Sequence, residues 1–290
     1  MPAPTTSATP DLSTRTAIVT GGSGGIGAAT ARALAARGAR VVLAVRDLDK
    51  GARAATAMPG RVEVRPLDLA SLASVHAFAA AWDEPLDLLV NNAGVSVRER
   101  RRTADGFELQ FGTNHLGPFA LTNLLLPRTT GRVVTLSSQA ERSARLDLDD
   151  PNHERTPYRE SRVYAASKLA NLLFTTELQR RLTAAGSPVL AVAAHPGLVS
   201  TGMTNGSSRA LDRFLTRHLA QSPDEGALPV LFAATADVPP GAFTGPERAM
   251  HMRGGATLIG RSRRSRDPGL ARRLWTVSEE LTGVGFGLAG

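Results

Sequence analysis

Residues Arg15–Asp47 read RTAIVTGGSGGIGAATARALAARGARVVLAVRD, and this stretch decides the fold. Ala17–Val19 is a short apolar run rich in β-branched residues, and glycines follow at once. From Gly25 to Arg37, Ile26, Ala29, Ala33 and Ala36 recur at helical spacing, Gly38 is a natural stop, and Val41–Val45 is a second apolar run. Strand, glycine turn, helix and strand make a βαβ unit, which implies a parallel sheet covered on both faces. The turn satisfies two templates. Gly22, Gly24 and Gly27 fit GxGxxG, while Thr20, Gly21, Gly25 and Gly27 fit TGxxxGxG. Glycines permit positive φ and let a pyrophosphate approach the backbone, and the helix start offers it free N–H groups.

The alternation continues beyond this unit. Strands are expected at Val62–Leu67, Leu86–Val90, Arg132–Leu136 and Val189–Ala194, with a further one near Phe243. Helices are expected at Ser71–Trp82, Asp105–Leu126 and Val163–Leu182, and in EGALPVLFAATA (Glu225–Ala236) with Pro229 near its first turn. Asp267 should cap a last helix over residues 268–282, with Pro268 at its first position. The expected fold is a doubly wound α/β Rossmann fold, a single parallel sheet of about seven strands in the order 3-2-1-4-5-6-7. Residues 1–13, rich in Pro, Thr, Ser and Ala, read as a disordered tail, and residues 14–290 as one catalytic domain. Two insertions, near 141–162 and 198–221, fall where open α/β sheets place a ligand crevice, and are read as substrate-lining.

Composition narrows the function. The 290-residue chain has no cysteine, which removes disulfides and thiolate chemistry and fits a cytoplasmic location. It has no run of eighteen uncharged apolar residues and no signal-like start, so no membrane partner is expected. Six scattered histidines suggest no metal site. The net charge of +8 raises nucleic-acid binding, with the runs RERRR (Arg98–Arg102) and RSRRSR (Arg261–Arg266) densest. Aromatic residues are only 4% and no binding module accompanies them, so these runs read as solvated loops and no nucleic-acid partner is expected. Asp147, Asp149 and Asp150 likewise read as a solvated acidic run.

The second strand ends at Val45, where an adenosine ribose would lie. Arg46 suits a 2′-phosphate and favours NADP(H); Asp47 keeps NAD(H) open. The chain has two tyrosines and two lysines, and one of each falls in YAASK, Tyr164–Lys168. Four residues apart on a helix, they share a face, and a nearby ammonium lowers a phenol's pKa.

These motifs together resemble the short-chain dehydrogenase/reductase family. TGGSGGIG (Thr20–Gly27) is similar to its cofactor turn, LDL (Leu67–Leu69) to its adenine contact, and NNAG (Asn91–Gly94) to its fourth-strand motif. Asn114 in NHLG, Ser138 in LSSQA, YAASK, and Pro196-Gly197 in HPGLVST resemble the remaining signatures, so the likeness spans about residues 14–285. DGFELQFGTNHLGPFALTNLLL and ARRLWTVSEELTGV most resemble the branch of retinol dehydrogenases, WW-domain oxidoreductases and protochlorophyllide reductases.

The resemblance implies a catalytic set of Asn114, Ser138, Tyr164 and Lys168. Tyr164 would exchange the proton, Lys168 would hold the nicotinamide ribose, Ser138 the reacting oxygen, and Asn114 a relay water. The cofactor would lie along Gly21, Ser23, Gly24, Gly25, Ile26 and Gly27, then Arg46, Asp68 and Leu69. It would continue to Asn91, Ala93, Gly94, Tyr164 and Lys168, and end at Pro196, Gly197, Val199 and Thr201. Ser137 is the alternative to Ser138, the two pointing opposite ways on a strand. His195 is expected to pack beside the cofactor. The implied activity is NADP(H)-dependent interconversion of a carbonyl and an alcohol on a bulky apolar small molecule, in a homodimer or homotetramer. The alternative is a non-catalytic NAD(P)-binding sensor or scaffold, which need not retain all four residues.

Overall fold

In the computed structural model, which describes residues 11–199 and 220–288, β1 (Thr16–Thr20) lies parallel to β2 (Arg40–Val45), with Val19 beside Leu43. The helix α1 (Gly25–Ala35) makes the crossover. Four further parallel strands are β3 (Val62–Pro66), β4 (Leu86–Asn91), β5 (Thr129–Leu136) and β6 (Leu190–Ala194). The order β3-β2-β1-β4-β5-β6 continues with β7 (Phe243–Gly245) and β8 (Thr257–Leu258), so the expected topology holds with one strand added. That strand is antiparallel to β7 and makes the sheet mixed. At two residues it is too short to announce itself by alternation.

Alternation along each strand divides the core into two layers. Ile18, Val42 and Leu89 enter the layer with α3 (Leu72–Ala80), α5 (Gly117–Leu125) and α6 (Glu160–Ala184). Val19, Leu43 and Val90 enter the layer with α1 and α7 (Pro223–Thr235). All six side chains are fully buried. A helix absent from the expectation, α2 (Leu48–Thr56), fully buries only Gly51 and packs Ala54 and Ala55 at the edge of the core, so its apolar face is made of small residues.

The expected helix over Asp105–Leu126 is shorter and broken. It starts with a single turn, α4 (Leu109–Phe111), passes through a π-helical turn at Gly112–Leu116, and resumes as α5. Pro118 has no N–H to give the Asn114 carbonyl, so regular i→i−4 bonding cannot run through this point. In α7 the proline lies mid-helix rather than near the first turn, because Ser222 and Glu225 form a capping box earlier in the chain. The last helix, α8 (Pro268–Thr282), starts as expected: Asp267 accepts from Gly269 N and Leu270 N at 2.8 and 3.0 Å. Its Trp275 meets Phe119 edge-on at 4.9 Å and stacks on Phe174 at 5.8 Å, sealing α8 over α5 and α6.

Residues 11–13 correct the tail's boundary. Leu12 donates its N–H to Arg37 O at 2.8 Å and packs on the core, and Asp11 accepts from Ser13 N at 2.9 Å.

Candidate active site

The glycine turn is fastened from behind. Thr20 Oγ1 accepts from Asn92 N and Ala93 N, each at 3.0 Å, and Asn92 Nδ2 donates to Thr20 O at 2.7 Å. Gly21 and Gly25 have φ of 67° and 54°, the left-handed region where a side chain is strained. A Cβ on Gly27 would strike Asn92 Nδ2 and the Gly21 carbonyl, so α1 can close on β1 only with glycine there. Gly24, the N-cap, faces open space, and no side chain caps the helix. The free N–H groups of the first turn therefore border an open approach that a pyrophosphate fits. Ser23 lies in that turn, while Ile26 turns toward Gly226 of α7.

At the end of β2, Arg46 is exposed and makes no ion pair among the described residues. Asp47 is committed elsewhere. Its carboxylate caps α2 by accepting from Lys50 N at 2.9 Å, faces Lys50 Nζ at 3.4 Å, and is held below the usual carboxylate range mainly by that backbone bond. Asp68 and Leu69 follow β3. Asp68 Oδ1 accepts from Ala70 N at 2.9 Å and Leu69 is buried against Gly117.

Beyond β4 the two asparagines separate. Asn91, expected at the cofactor, points its side chain into the core, donating to Thr122 Oγ1 at 2.8 Å. Strand alternation is the reason: Asn91 shares the face of Leu89, and Asn92 that of Val90. Asn92 is the residue the sequence reading missed, although the doublet and the pleat together carried the signal. Ala93 stays beside the turn through its N–H bond to Thr20. Gly94 lies where a Cβ would come within 3.2 Å of Asn114 Oδ1 and 3.5 Å of Lys168 Nζ.

The four expected catalytic residues gather on this side of the sheet. Asn114, in the π turn, is buried; its Oδ1 accepts from Val95 N at 2.7 Å, and its Nδ2 donates to Val95 O at 2.9 Å and Ser167 Oγ at 3.0 Å. Ser137 is buried and donates to Lys168 O at 2.7 Å, whereas Ser138 is partly exposed and caps the turn Gln139–Ser143. The opposite directions expected of the pair are observed, and Ser138 is the one facing Tyr164. Lys168 is only 4% exposed and gives Nζ to Leu136 O at 3.3 Å, with Nζ 5.5 Å from the Tyr164 ring centroid.

Burial brings the Lys168 ammonium down to about 8 and pushes the Tyr164 phenol up to about 12, with Ser138 acting on the phenol in the opposite direction. Helical spacing predicts that Lys168 lowers the phenol; in the structure burial outweighs any such effect. His195 is buried and, for the same reason, brought down to about 4, which leaves it neutral. Its Nδ1 accepts from Gly197 N at 3.4 Å. Gly197 has φ of 82°, and after Pro196 it turns the chain toward Val199, which is buried and bridges to Gln221. Thr201 and most of the 198–221 insertion lie outside the described residues.

Residues 15–212 match the model of the short chain dehydrogenase family. The chain belongs to this family. It is 41% identical to mouse polyprenol dehydrogenase over 94% of this chain and 85% of the relative. It is 39% identical to human retinol dehydrogenase 13 over 93% and 85%. Among solved structures, an uncharacterised protein of Mycobacterium paratuberculosis superposes with a TM-score of 0.85 at 50% identity, covering 96% of this chain and 97% of that one. The Pseudomonas aeruginosa RhlG/NADP active-site complex superposes with a TM-score of 0.63 at 28% identity, covering 79% and 93%. As a short-chain dehydrogenase the chain is an oxidoreductase that uses a nicotinamide dinucleotide to interconvert carbonyl and alcohol groups.

The polar stretches around this dehydrogenase's site are less solvated than their composition suggests. Arg261 is half enclosed, donating to Thr176 Oγ1 at 2.8 Å and to Gly241 O, and Arg264 donates to Ala144 O at 2.8 Å. Ser262 N and Oγ bind the buried Glu141 carboxylate at 2.8 and 2.5 Å. The basic run is thus a latch on the turn that begins at Ser138. Asp150 is also enclosed rather than solvated: its carboxylate accepts from Glu154 N, Arg155 N, Thr156 N and Thr156 Oγ1 at 2.8–3.2 Å. Among the described residues no helix is long and apolar enough to cross a membrane, and no cluster of three His, Asp or Glu could hold a metal ion.

Proposed function

We propose that this chain is an NADP(H)-dependent carbonyl/alcohol oxidoreductase acting on a bulky apolar small molecule, with Tyr164 as its acid/base. The observation that carries the cofactor choice is the division of labour after β2. Asp47, the residue that could accept from a free 2′-hydroxyl, is spent on the α2 cap, while the adjacent Arg46 is exposed. The RhlG complex, a structural neighbour, holds NADP. An apolar substrate is supported by the relatives, a polyprenol and a retinol dehydrogenase.

The bound nicotinamide would supply or accept the hydride. The chain's residues manage the proton and the geometry. The turn Gly21–Gly27 would hold the pyrophosphate, and Arg46, Asp68 and Leu69 the adenosine end. Ala93, Gly94 and Lys168 would hold the nicotinamide riboside, with Pro196, Gly197, Val199 and Thr201 beyond it. A phenol near 12 is protonated at neutral pH, the form that gives a proton to a substrate oxygen during reduction. Ser138 donates a hydrogen bond to that same oxygen, and Asn114 keeps the Val95 loop and a relay water in place.

The test is a panel of apolar ketones, aldehydes and alcohols, followed at the NADPH absorbance band with NADH in parallel. Turnover with NADPH should exceed that with NADH. Arg46→Ala should weaken NADP(H) binding by about 1.5–3 kcal/mol, the scale of a charge-assisted contact, and leave NAD(H) binding nearly unchanged. Equal losses for the two would make Arg46 structural and overturn the cofactor choice.

A further inference from the structure

Behind Lys168 runs a buried row of polar side chains that proton exchange at Tyr164 leaves unexplained. The carbonyl of Leu136, the last residue of β5, accepts from Lys168 Nζ at 3.3 Å and from Asn171 Nδ2 at 2.9 Å. Asn171 follows Lys168 by three residues on α6, shares its face, and is 3% exposed. Its Oδ1 is buried without a hydrogen-bond partner, and so is Nδ1 of His115. His115 is the neighbour of Asn114 in the π turn and sits among Phe111, Phe119 and Phe174, with ring centroids 5.2, 6.2 and 6.0 Å away. Its Nε2 is 2.9 Å from Ser278 Oγ on α8.

Two unpartnered buried atoms are costly, and each is worth explaining. Burial drives His115 down to about 3, while the Asn171 side chain acts to raise it. The Ser278 hydroxyl donates to Leu274 O at 2.8 Å, so it accepts from Nε2–H of His115, which leaves His115 Nδ1 and Asn171 Oδ1 unpartnered. The hydrogen-bonded row thus runs from Lys168 to Leu136 O and Asn171, joining α6 to the end of β5, while His115 and Ser278 form a separate pair between the π turn and α8.

We propose that Asn171 is a positioning residue for Lys168: it fixes the Leu136 carbonyl that receives the ammonium, holding the end of β5 against α6. The inference rests on the reading of Tyr164 and Lys168 as the reacting pair. A carbonyl bound by a rigid amide can hold an ammonium on a flexible stem in one place. Without that amide, the same carbonyl is free to shift with the strand end. Displacements of about 1 Å in such a site cost about a hundredfold in rate. Apart from Tyr164 on its own helix, the titratable group facing Lys168 is His195 from the end of β6, and no carboxylate among the described residues pairs with it.

The test compares Asn171→Leu and Asn171→Asp in the full chain, with thermal unfolding, NADPH affinity by fluorescence, and kcat and KM across pH. Asn171→Leu should fold and lose about tenfold to a hundredfold in kcat, with the KM for the apolar substrate little changed. Asn171→Asp places an anion near the ammonium and should move the limb of the pH profile that titrates Lys168 to higher pH. Wild-type kcat and pH profile in either folded variant, with only the melting temperature lowered, would overturn the proposal. If neither folds, Asn171→Ser decides: a smaller loss of kcat supports the positioning role, and an unchanged kcat overturns it. Tyr164→Phe separates the two readings. If it stays active, the reacting pair itself is wrong; if it is inactive while the Asn171 variants are normal, only the positioning role fails.

Discussion

The chain's two tyrosines lie six residues apart, in regions that use a phenol in opposite ways. Tyr158 ends the strap that leads into α6. Its hydroxyl donates to Val97 O at 2.7 Å and accepts from Gln110 Nε2 at 2.6 Å. Tyr164 lies one turn into α6, beside Lys168 and Ser138. Burial pushes both phenols up to about 12, so pKa alone does not tell them apart. What differs is whether the proton is already spoken for. The strap's tyrosine spends its hydrogen on a backbone carbonyl, whereas that of α6 faces a serine and a buried ammonium, partners that can exchange or orient a proton.

The sharpest way to break this comparison is to remove both hydroxyls in turn. Tyr164→Phe should lower turnover at least about a hundredfold, the scale of a positioned acid/base group. NADPH binding should survive, since the ring still packs and Lys168 remains. Steady-state kinetics with a substrate from the panel, alongside cofactor fluorescence, checks both halves. Near-normal turnover would leave the α6 phenol no more chemical than that of the strap.

A second difference is the buried lysine, and it can be read from stability. Lys168 falls from 10.5 to about 8 in the folded protein, so between those values the unfolded chain binds more protons than the native one. By linkage, stability should then rise with pH across that window, by about 3 kcal/mol at most. Both phenols oppose it above 10, where the unfolded chain loses protons that the folded one keeps. Denaturant titrations at pH 8 and pH 10 should therefore show the native chain gaining on Lys168→Met, which cannot titrate there. Parallel curves would mean that the ammonium is better solvated than its burial implies.

Much of this contrast is legible in the sequence, and the reasons are local. The fold followed from Ala17–Val45 because strand, glycine turn and helix each have a strong period or a steric demand. YAASK was legible because helical spacing alone brings residues four apart to one face. The strap was not. Asp150 and Tyr158 act through single long-range hydrogen bonds or tight turns, which leave no period. The direction of Asn91 was within reach from the pleat of β4. The role of Asn92 depended on contact with Thr20, seventy-two residues away in sequence. The arginines of 261–266 misled because composition cannot distinguish a charge in water from one donating to buried carbonyls.

The strap's own order can be tested through Asp150. Burial by itself would raise its carboxyl, but hydrogen bonds from Glu154 N, Thr156 Oγ1 and N, and Arg155 N outweigh that and bring it to about 2. Its folded pKa lies below the unfolded 3.8, so the stability it contributes is present above 3.8 and is lost as pH falls toward 2. In Asp150→Asn an amide NH₂ in place of Oδ2 would face three donors, from Arg155 N, Thr156 N and Thr156 Oγ1. The variant should be less stable at pH 7 and lose part of its acid sensitivity between pH 4 and 2, as unfolding titrations would report. Turnover of the folded fraction should remain within a few-fold of the parent, since the carboxylate lies outside the reacting set.

The smallest expected effect is the one on which the comparison depends most. Tyr158→Phe removes a donor to Val97 O and an acceptor for Gln110 Nε2. The amide has nearby alternatives in Val97 O and Glu160 O, at 3.5 and 3.4 Å, so it can shift rather than lose its bond. The cost to folding should therefore be about 1 kcal/mol, that of one net hydrogen bond. Val97 lies two residues past Val95, whose N–H and carbonyl bind Asn114, so a loosened loop could reach the site. That route acts through geometry and should appear as a change of about two- to threefold in KM, with kcat nearly intact. Urea unfolding and steady-state kinetics on the same preparation separate these terms. A hundredfold fall in kcat would place chemistry on the strap and erase the distinction between the two phenols.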